Sequence, residues 1–529
     1  MVLMCEVRIV EGKPQVEGYA AGELAASADL AGMLAALVRE VAGPGAAGLP
    51  LEELERRVVA GIRELGCAVL QHALDERAGA EVRLAQVTGA DGVPRPRAGR
   101  GTRTIVTVLG PVRVRRIGYR ARAAGVPGLF PADAALNLPR RRYSWGLQQL
   151  AVLFTQAVSY ERARRFVRAA TGISIGKRQL EQITAGAAAD AERFCRDADR
   201  SGELMALPGA GQDPGAGLPP LAISADGKGV AMRPEARRRR GPAPVPRVRT
   251  FAKRTGTGEK KGHKRMAETG CVFDVLPPDL PRTPEQVMRP EPGAAKNAPR
   301  SVNRWYACDV TAGRDVTIGK IFGEADRRDP GHERTWITLV DGDIYQLGLI
   351  QDQAAARGVT PVILAGFIHV LEYLWKAAWC FHAPRDPATE DWVTAQALDI
   401  LHGRTAMVIT RIGQLAARHP PRPGGEHAKI IRKTLHYLDA KQPYLDYPRA
   451  LASGWPIATG VIEGACRHLV QDRMGITGAR WSLPGAQTIL WLRAIHASSD
   501  LDAYWDWHIQ QEHQRNHLSR YQDSLAPAA

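Results

Sequence analysis

The sequence predicts a multidomain protein of the α+β class, and three observations support that prediction. At 529 residues the chain is too long for one ordinary hydrophobic core. Its first part contains a long helical pattern. Its middle part alternates predicted strands, among them "DVTIGKIFG" and "TWITLVDGD", with a predicted helix around Tyr345–Arg357. Residues 367–448 are almost wholly helical in pattern. We therefore expect several domains, with a mixed sheet in the central one.

Residues 1–92 are predicted as a helical N-terminal region. The segment "PLEELERRVVAGIRELGCAVLQHALDERAGAEV" has apolar residues at helical spacing, namely Leu54, Val58, Ile62, Leu65 and Val69. Such a stripe is typical of packing within the chain or of dimerisation, and we assign it no chemistry.

Residues 93–200 begin with a predicted β-hairpin. In "RTIVTVLGPVRVRRIGYRA" two alternating runs meet at Gly110-Pro111, which is a turn signal. Arg113 and Arg115 alternate with Val112 and Val114, so one face is apolar and the other is basic. The basic face is either simply solvated or in contact with phosphate.

A pair of helices follows the hairpin. In "SYERARRFVRAATGISIGKRQLEQ" Ser159 can cap a first helix that Gly172 ends, and Ser174 can start a second helix. The second helix carries Lys177 and Arg178 on its polar side. This is the shape of a helix-turn-helix, which reads DNA in many proteins and is plain helical packing in others.

The overall charge favours a polyanionic partner. The chain has a net charge of +16, and phosphate neutralisation gives sequence-independent affinity for nucleic acid. A gene of high GC content also encodes more arginine, which would explain part of this positive charge.

The seven cysteines are scattered singly, which argues against a disulfide framework and against a zinc knuckle. No apolar run is long enough to span a membrane, so we expect a cytoplasmic protein without membrane contact.

Two polar segments flank the first strand of the central sheet. Residues 201–219 are rich in glycine and proline and are predicted as a linker. The segment "RPEARRRRGPAPVPRVRTFAKRTGTGEKKGHKR" is basic and proline-punctuated, and we expect it to order on binding a polyanion.

Three acids stand out in the second half of the chain. Asp226 follows the apolar run of "LAISADG", and Asp341 follows that of "TWITLVDGD", each before a glycine. Strand-terminal acids of this kind can cap a turn or bind metal. Glu463 lies on a predicted helix in "GWPIATGVIEGACRHLVQDRM", one turn from Arg467, a pair that alone would be a surface salt bridge. Together the three acids could supply the oxygen ligands of a two-metal phosphoryl-transfer site.

Several stretches resemble insertion-sequence transposases of the ISKra type. They are "ISADGKGV", "VDGD", "FIHVLEYLWKAAWCFH", "WPIATGVIEGACRHLVQDRMGITGARWSLPGAQTILWLRA" and "YWDWH", with "LGPVRVRRIGY" and "PADAALNLPRRRYS" nearer the N-terminus. These transposases belong to the group with an RNase H-like catalytic domain and an Asp-Asp-Glu triad. The resemblance covers nearly the whole chain and makes Asp226, Asp341 and Glu463 the triad.

The resemblance also implies a domain plan. The RNase H-like mixed α/β core would comprise residues 220–371 and 456–500, with an all-helical insertion at 372–455. The residue pattern itself predicts that the C-terminal tail at 501–529 is helical and then polar and frayed. The helical and β-hairpin regions before it would bind DNA through Lys177, Arg178, Arg113 and Arg115, and Arg467 would contact DNA from the core.

The activity implied is metal-dependent cleavage and strand transfer at the terminal inverted repeats of a mobile genetic element. Mg²⁺ is the expected cofactor, with Mn²⁺ as a substitute. No nucleotide cofactor is expected, since strand transfer conserves phosphodiester bonds and no G-x-x-x-x-G-K-[ST] loop is present. The expected partners are double-stranded DNA, as element ends and as target, and a second copy of the chain in a homodimer or higher oligomer. The protein would be associated with the nucleoid.

One position departs from the family pattern. Related transposases usually have aspartate or cysteine three residues before a histidine, and here Gly366 precedes His369. His369 is either a core histidine or an auxiliary active-site residue. If an aspartate at this position orients His369 or a DNA strand, Gly366→Asp should raise strand transfer. If the essential metal ligands are only Asp226, Asp341 and Glu463, the substitution should change little. The alternatives are a catalytically impaired DNA-binding relative and another RNase H-like metal-dependent nuclease.

Overall fold

A computed structural model describes residues 7–10, 13–16, 24–197, 218–237, 263–289, 298–383, 386–422, 424–476, 478–524 and 526–527. Most of the predicted linker (201–217) and most of the basic proline-punctuated segment (238–262) lie outside the described residues. The chain divides into two compact units, Met1–Asp190 with Trp505–Ala529 and Ala191–Tyr504.

The first unit begins with the strand pair β1 (Val7–Val10) and β2 (Lys13–Val16) and the helices α1 (Leu24–Ala42) and α2 (Leu51–Ala80). Helix α2 corresponds to the predicted long helix, and it packs against α1. None of its described side chains is fully buried, and Ile62 is 50% exposed. The apolar stripe is therefore only partly covered.

The predicted β-hairpin is present. After the short pair β3 (Val87–Thr88) and β4 (Pro94–Arg95), β5 (Arg97–Val106) pairs antiparallel with β6 (Pro111–Arg120). The alternation also appears as predicted: Val112 and Val114 are buried, and Arg113 and Arg115 are exposed. The buried valines pack with partly buried side chains of α2.

Four helices complete this part of the unit: α3 (Pro131–Ala135), α4 (Trp145–Ala157), α5 (Tyr160–Thr171) and α6 (Lys177–Ala187). Helices α4, α5 and α6 pack against one another. The Ser159 hydroxyl caps α5, and Gly172 ends it with a φ of 74°. The predicted start of the second helix at Ser174 is wrong. Helix α6 begins at Lys177, after Gly176 with extended backbone and the buried Ile175.

The second unit contains a five-stranded mixed sheet. Its elements in chain order are α7 (Ala191–Asp197), β7 (Leu221–Ala231), β8 (Lys264–Leu276), α8 (Pro284–Met288), β9 (Arg300–Asp309), α9 (Arg314–Arg328), β10 (Trp336–Val340), α10 (Ile344–Arg357) and β11 (Val362–Ala365). The strand order is β11-β10-β7-β8-β9. Strand β10 runs parallel to β7 and β11, and β8 runs antiparallel to β7 and β9.

Helix α9 corrects a sequence prediction. The segment "DVTIGKIFG" is rich in β-branched residues, and its sequence predicts a strand. Its buried residues instead recur at helical spacing, and Ile318, Ile321, Phe322 and Ala325 join the core between the sheet and helices α9 and α10.

The rest of the second unit is helical. It comprises α11 (Phe367–Phe381), α12 (Pro387–Leu401), α13 (Thr405–Arg418), α14 (Glu426–Lys441), α15 (Tyr447–Ala452), α16 (Gly460–Ala465), a π-helical stretch (Cys466–Gln471), α17 (Asp472–Met474), α18 (Leu483–Ala497) and the start of α19 (Leu501–Asn516). Helix α18 lies along the edge strand β9, where the Gln487 side chain accepts from Val310 N–H and donates to Cys308 C=O. No helix in the described part of the chain is long and apolar enough to cross a membrane.

The C-terminal segment is not frayed up to residue 524. From Trp505 it groups with the first unit. Tyr521 is buried there against Val87, Ile117, Tyr119 and Leu129. The residues around Tyr521 are polar, so the sequence does not reveal that this side chain is buried.

Candidate active site

The two predicted aspartates lie at one edge of the central sheet. Strands β7 and β10 are parallel, with Leu339 opposite Ser224. Continuing that register by two residues brings Asp341 to the level of Asp226. Neighbouring strands are about 4.8 Å apart, so the two acids come from adjacent backbone positions.

Asp226 is not at the end of its strand, contrary to the sequence prediction. Strand β7 continues through Gly227 to Ala231, paired only with β8. The apolar run stops at Asp226 because β10 ends there, whereas the longer β8 keeps β7 extended. Gly227 is therefore a strand residue and does not form a turn.

Asp341 occupies the predicted strand end. It follows β10, and Gly342 then turns the chain with a φ of 91°, a conformation that favours glycine. The Asp341 Oδ1 atom accepts a hydrogen bond from the Asp343 N–H at 2.9 Å. Asp343 caps α10, and the backbone N–H of Gln346, followed by the nearby Arg314, lowers the pKa of Asp343 despite partial burial.

The third acid, Glu463, lies in the first turn of α16, which packs against β7 and β8. Ile462 and Ala465 are buried, and Glu463 is on the open side, as predicted. The Thr459 hydroxyl donates to Glu463 Oε1 at 2.6 Å, and His369 Nε2 lies 3.8 Å from the same oxygen. The structure thus brings His369 together with the third acid.

Cys466 connects the third acid's helix with the first acid. This buried thiol lies one helical turn beyond Glu463, and burial raises its pKa, with the Asp226 carboxylate adding to the shift through charge and a hydrogen bond. Asp226 Oδ1 also accepts from the Gly227 N–H at 2.6 Å. Asp226 and Glu463 therefore lie on elements that are in contact.

Gly366 completes the sheet edge on the other side of Asp341. Ala365 is opposite Val340, so Gly366 lies level with Asp341. A Cβ at Gly366 would be 2.9 Å from Thr459 Oγ1 and 3.0 Å from Thr459 Cγ2, and Thr459 is buried. The structure therefore argues against a gain from Gly366→Asp, because the new side chain would displace the threonine that holds Glu463.

Two residues near Asp341 had no signal in the sequence. Lys441 of α14 is 5% exposed, and burial lowers its pKa while the charges of Asp341 and Asp343 act in the opposite direction. Burial raises the pKa of Tyr437, and Asp341 contributes to that rise. A Cβ at Gly342 would lie 3.1 Å from Lys441 Cε and 3.3 Å from Tyr437 Cε2. The helical region thus places a cation and a phenol beside the second acid.

The three acids fit a divalent metal by the chemistry of their donors, since carboxylate oxygens are the ligands that Mg²⁺ prefers. The ligand atoms of Asp226, Asp341 and Glu463 do not all lie within 4.8 Å of one another.

A different group of side chains is closer together. Among the described residues, only Asp190, His508 and Glu512 have metal-ligand atoms that all lie within 4.8 Å of one another. There Arg515 Nη2 lies 2.7 Å from Asp190 Oδ1 and Arg515 Nη1 lies 2.8 Å from Glu512 Oε1. We interpret that group as an ion-pair network because the guanidinium already supplies its positive charge.

The predicted DNA-binding residues are exposed. Lys177 and Arg178 occupy the first turn of α6, and Arg113 and Arg115 lie on β6, all in the first unit. Arg115 Nε is 3.3 Å from Asp75 Oδ1, so this arginine already has an acidic neighbour. Arg467 is exposed on the π-helical stretch of the second unit.

Comparison with known protein families and with curated proteins gives no match to this chain.

Proposed function

We propose that this chain is a DNA transposase with an RNase H-like catalytic domain and the triad Asp226, Asp341 and Glu463. The observation that carries the proposal is the register that brings Asp341 level with Asp226 on parallel strands. The strand order supports it, because the acid-bearing first strand of an RNase H-like sheet is central, with an antiparallel neighbour on one side and a parallel one on the other.

The triad carboxylates are individually oriented. One oxygen of each accepts a hydrogen bond: from Gly227 N–H to Asp226, from Asp343 N–H to Asp341 and from the Thr459 hydroxyl to Glu463. Such anchoring reduces the reorganisation that ligand binding requires. Divalent ions, Mg²⁺ or Mn²⁺, held by the three acids would activate a water or a 3′-hydroxyl and stabilise the leaving oxygen.

The neighbouring side chains have supporting roles in this proposal. The His369 imidazole, 3.8 Å from Glu463, is an auxiliary group that orients the acid or contacts the DNA strand. Lys441 offsets the negative charge of Asp341 and Asp343. No nucleotide cofactor takes part, since strand transfer conserves phosphodiester bonds.

Recognition of the terminal inverted repeats is assigned to the first unit. Helices α4, α5 and α6 form a compact group with Lys177 and Arg178 at the exposed start of α6. Arg113 and Arg115 of the hairpin would add contacts to phosphate in this unit, and Arg467 would contact DNA from the second unit. Joining two element ends to a target requires at least a homodimer.

A reaction with purified full-length protein tests the proposal. The substrate is a plasmid carrying the reading frame with its flanking DNA, incubated with Mg²⁺, with Mn²⁺ or with chelator. Metal-dependent strand transfer is the expected result. Hydrolysis without transfer would point to a nuclease of the same fold, and binding without cleavage would point to a DNA-binding relative.

A further inference from the structure

A groove of about 540 Å³ lies in the second unit beyond the sheet edge that carries Asp226. We call it the basic groove, because five of its lining residues are basic or histidine: Lys228, Arg237, His263, Lys264 and Arg480. None of its lining residues within the described chain is acidic. Glu235 and Asp472 are close in sequence to the lining residues but are not among them.

The basic groove is lined by the strand that carries the first acid and by the helical segments that follow the third acid. One wall is β7 beyond Asp226, where Lys228 follows by two residues, a distance of about 6.6 Å along a strand. The other wall includes Val470 and Met474, on the helix that continues from Glu463. At about 1.5 Å per residue these lie roughly 10–16 Å beyond Glu463. The groove therefore leads away from the acids.

Glycine at position 229 sets the position of one cation. A Cβ there would lie 2.9 Å from the Lys264 Cδ atom, so the Lys264 stem lies across β7 at a place without a side chain. On the other wall, Gly478 has a φ of 77° and no atom within 4 Å of its Cβ position. At Gly478 the backbone faces open space, whereas at Gly229 the Lys264 side chain covers it.

These features fit a chain of phosphates better than a compact ligand. Lys228, Lys264 and Arg480 are exposed, and they are spread along the groove on separate elements. Spaced cations with exposed heads match the regular charges of a nucleic-acid backbone. Positive charges gathered in one groove repel one another, and a bound anion relieves that repulsion.

We infer that the basic groove binds the phosphodiester backbone of the DNA strand next to the bond that is cut. This inference rests on the proposed function, since it makes the groove an extension of the same site. It assigns Lys228, Lys264 and Arg480 as phosphate contacts, a role separate from end recognition by the first unit.

Salt-dependent DNA binding tests the assignment. The full-length protein is titrated in chelator, which prevents cleavage, against a labelled DNA duplex and a labelled single strand, between about 50 and 200 mM KCl. Each lost phosphate contact should lower the slope of log affinity against log salt by about 0.7–0.9. The double variant Lys264→Gln/Arg480→Gln should therefore lower the slope by about 1.4–1.8, and Lys228→Gln alone by about half as much.

The matched control is Arg418→Gln/Lys433→Gln, which removes two exposed charges of the same unit outside the groove. It should leave the slope unchanged. Equal slopes in the groove and control variants would overturn the inference, because only net charge would then matter. Lys228→Gln, a single change at an exposed site, decides the question if the double variant does not fold.

The outcome is separable from that of the catalytic proposal. A slope that falls only in the groove variants, in a wild-type protein that never cuts DNA, would keep the groove as a nucleic-acid site and reject the transposase. Normal cutting with unchanged slopes would reject the groove alone. A wild-type protein without DNA affinity would reject both.

Discussion

At the scale of single residues, the proposed site depends on how each carboxylate is held. Thr459, Cys466, Lys441 and Tyr437 all contact or influence one of the acids, and none of them could be singled out in the sequence. Lys441 is 100 residues beyond Asp341, so only the fold makes them neighbours. Asp226 and Asp341 could be singled out because each follows an apolar strand pattern, whereas Glu463 was singled out through the family resemblance. The role of all three stays a prediction.

Gly366→Asp should destabilise the protein. A Cβ at this position would lie 2.9 Å from Thr459 Oγ1, and forcing extra atoms into a packed site typically costs about 1–3 kcal/mol. We expect a lower melting temperature and weaker cleavage. Gly348→Ala is the matched control, since its Cβ would meet nothing within 4 Å. A Gly366→Asp variant with unchanged stability and higher activity would restore the prediction made from the family pattern.

Lys441→Met should strengthen metal binding. The buried ammonium is electrostatically coupled to Asp341 and Asp343, and a positive charge there opposes a second cation. We expect the affinity for Mn²⁺ to rise about three- to tenfold, on the order of 1 kcal/mol, measured by calorimetry without DNA. Lys433→Met, an exposed change on the same helix, should leave it unaltered. Equal affinities in wild type and Lys441→Met would show that the lysine does not act on the metal site.

At the scale of elements, the sequence predicted those helices and strands that are stabilised by interactions between residues close in the chain. The hairpin, α2 and α10 follow their alternation, spacing and capping residues, and the structure contains all three. The continuation of β7 past Asp226 depends on pairing with β8, about 40 residues along the chain. The strand predicted at "DVTIGKIFG" failed because β-branched residues also serve a buried helix face.

Helix α6 is the element to which we assign DNA recognition. Replacing Lys177 and Arg178 together by glutamine should weaken binding of an element-end duplex about tenfold or more near physiological salt, because two phosphate contacts are lost. Arg77→Gln/Arg83→Gln removes two exposed charges from the same unit and is the control. Fluorescence anisotropy measures both. Similar losses in the two variants would remove α6 from the assignment.

At the scale of the whole molecule, the two units are not consecutive in sequence. The segment from Trp505 groups with the first unit although 314 residues, Ala191–Tyr504, intervene. No sequence pattern predicts this grouping, because the residues around the buried Tyr521 are polar and show no apolar periodicity. Tyr521 packs against residues of the first unit that lie far earlier in the sequence.

Tyr521→Ala should therefore destabilise the first unit. The side chain is 3% exposed and packs in an apolar cluster, and truncating a buried aromatic residue costs about 3–5 kcal/mol. We expect the thermal transition of that unit to move to lower temperature. Tyr345→Ala, at a position 63% exposed, should change little. An unshifted transition in Tyr521→Ala would show that the tail does not stabilise the unit.

The central claim is that Asp226, Asp341 and Glu463 form one metal-dependent phosphoryl-transfer site. The most direct test is the rate of Mg²⁺-dependent DNA cleavage by Asp226→Asn, Asp341→Asn and Glu463→Gln, which keep the shape and remove the charge. The control is Asp343→Asn, which neutralises an acid two residues from Asp341 and keeps a residue able to cap α10. We predict at least a hundredfold loss of rate in each triad variant, about 2.7 kcal/mol or more in activation free energy, with DNA affinity retained and Asp343→Asn active. Wild-type cleavage by any triad variant, or an equal loss in Asp343→Asn, would contradict the account.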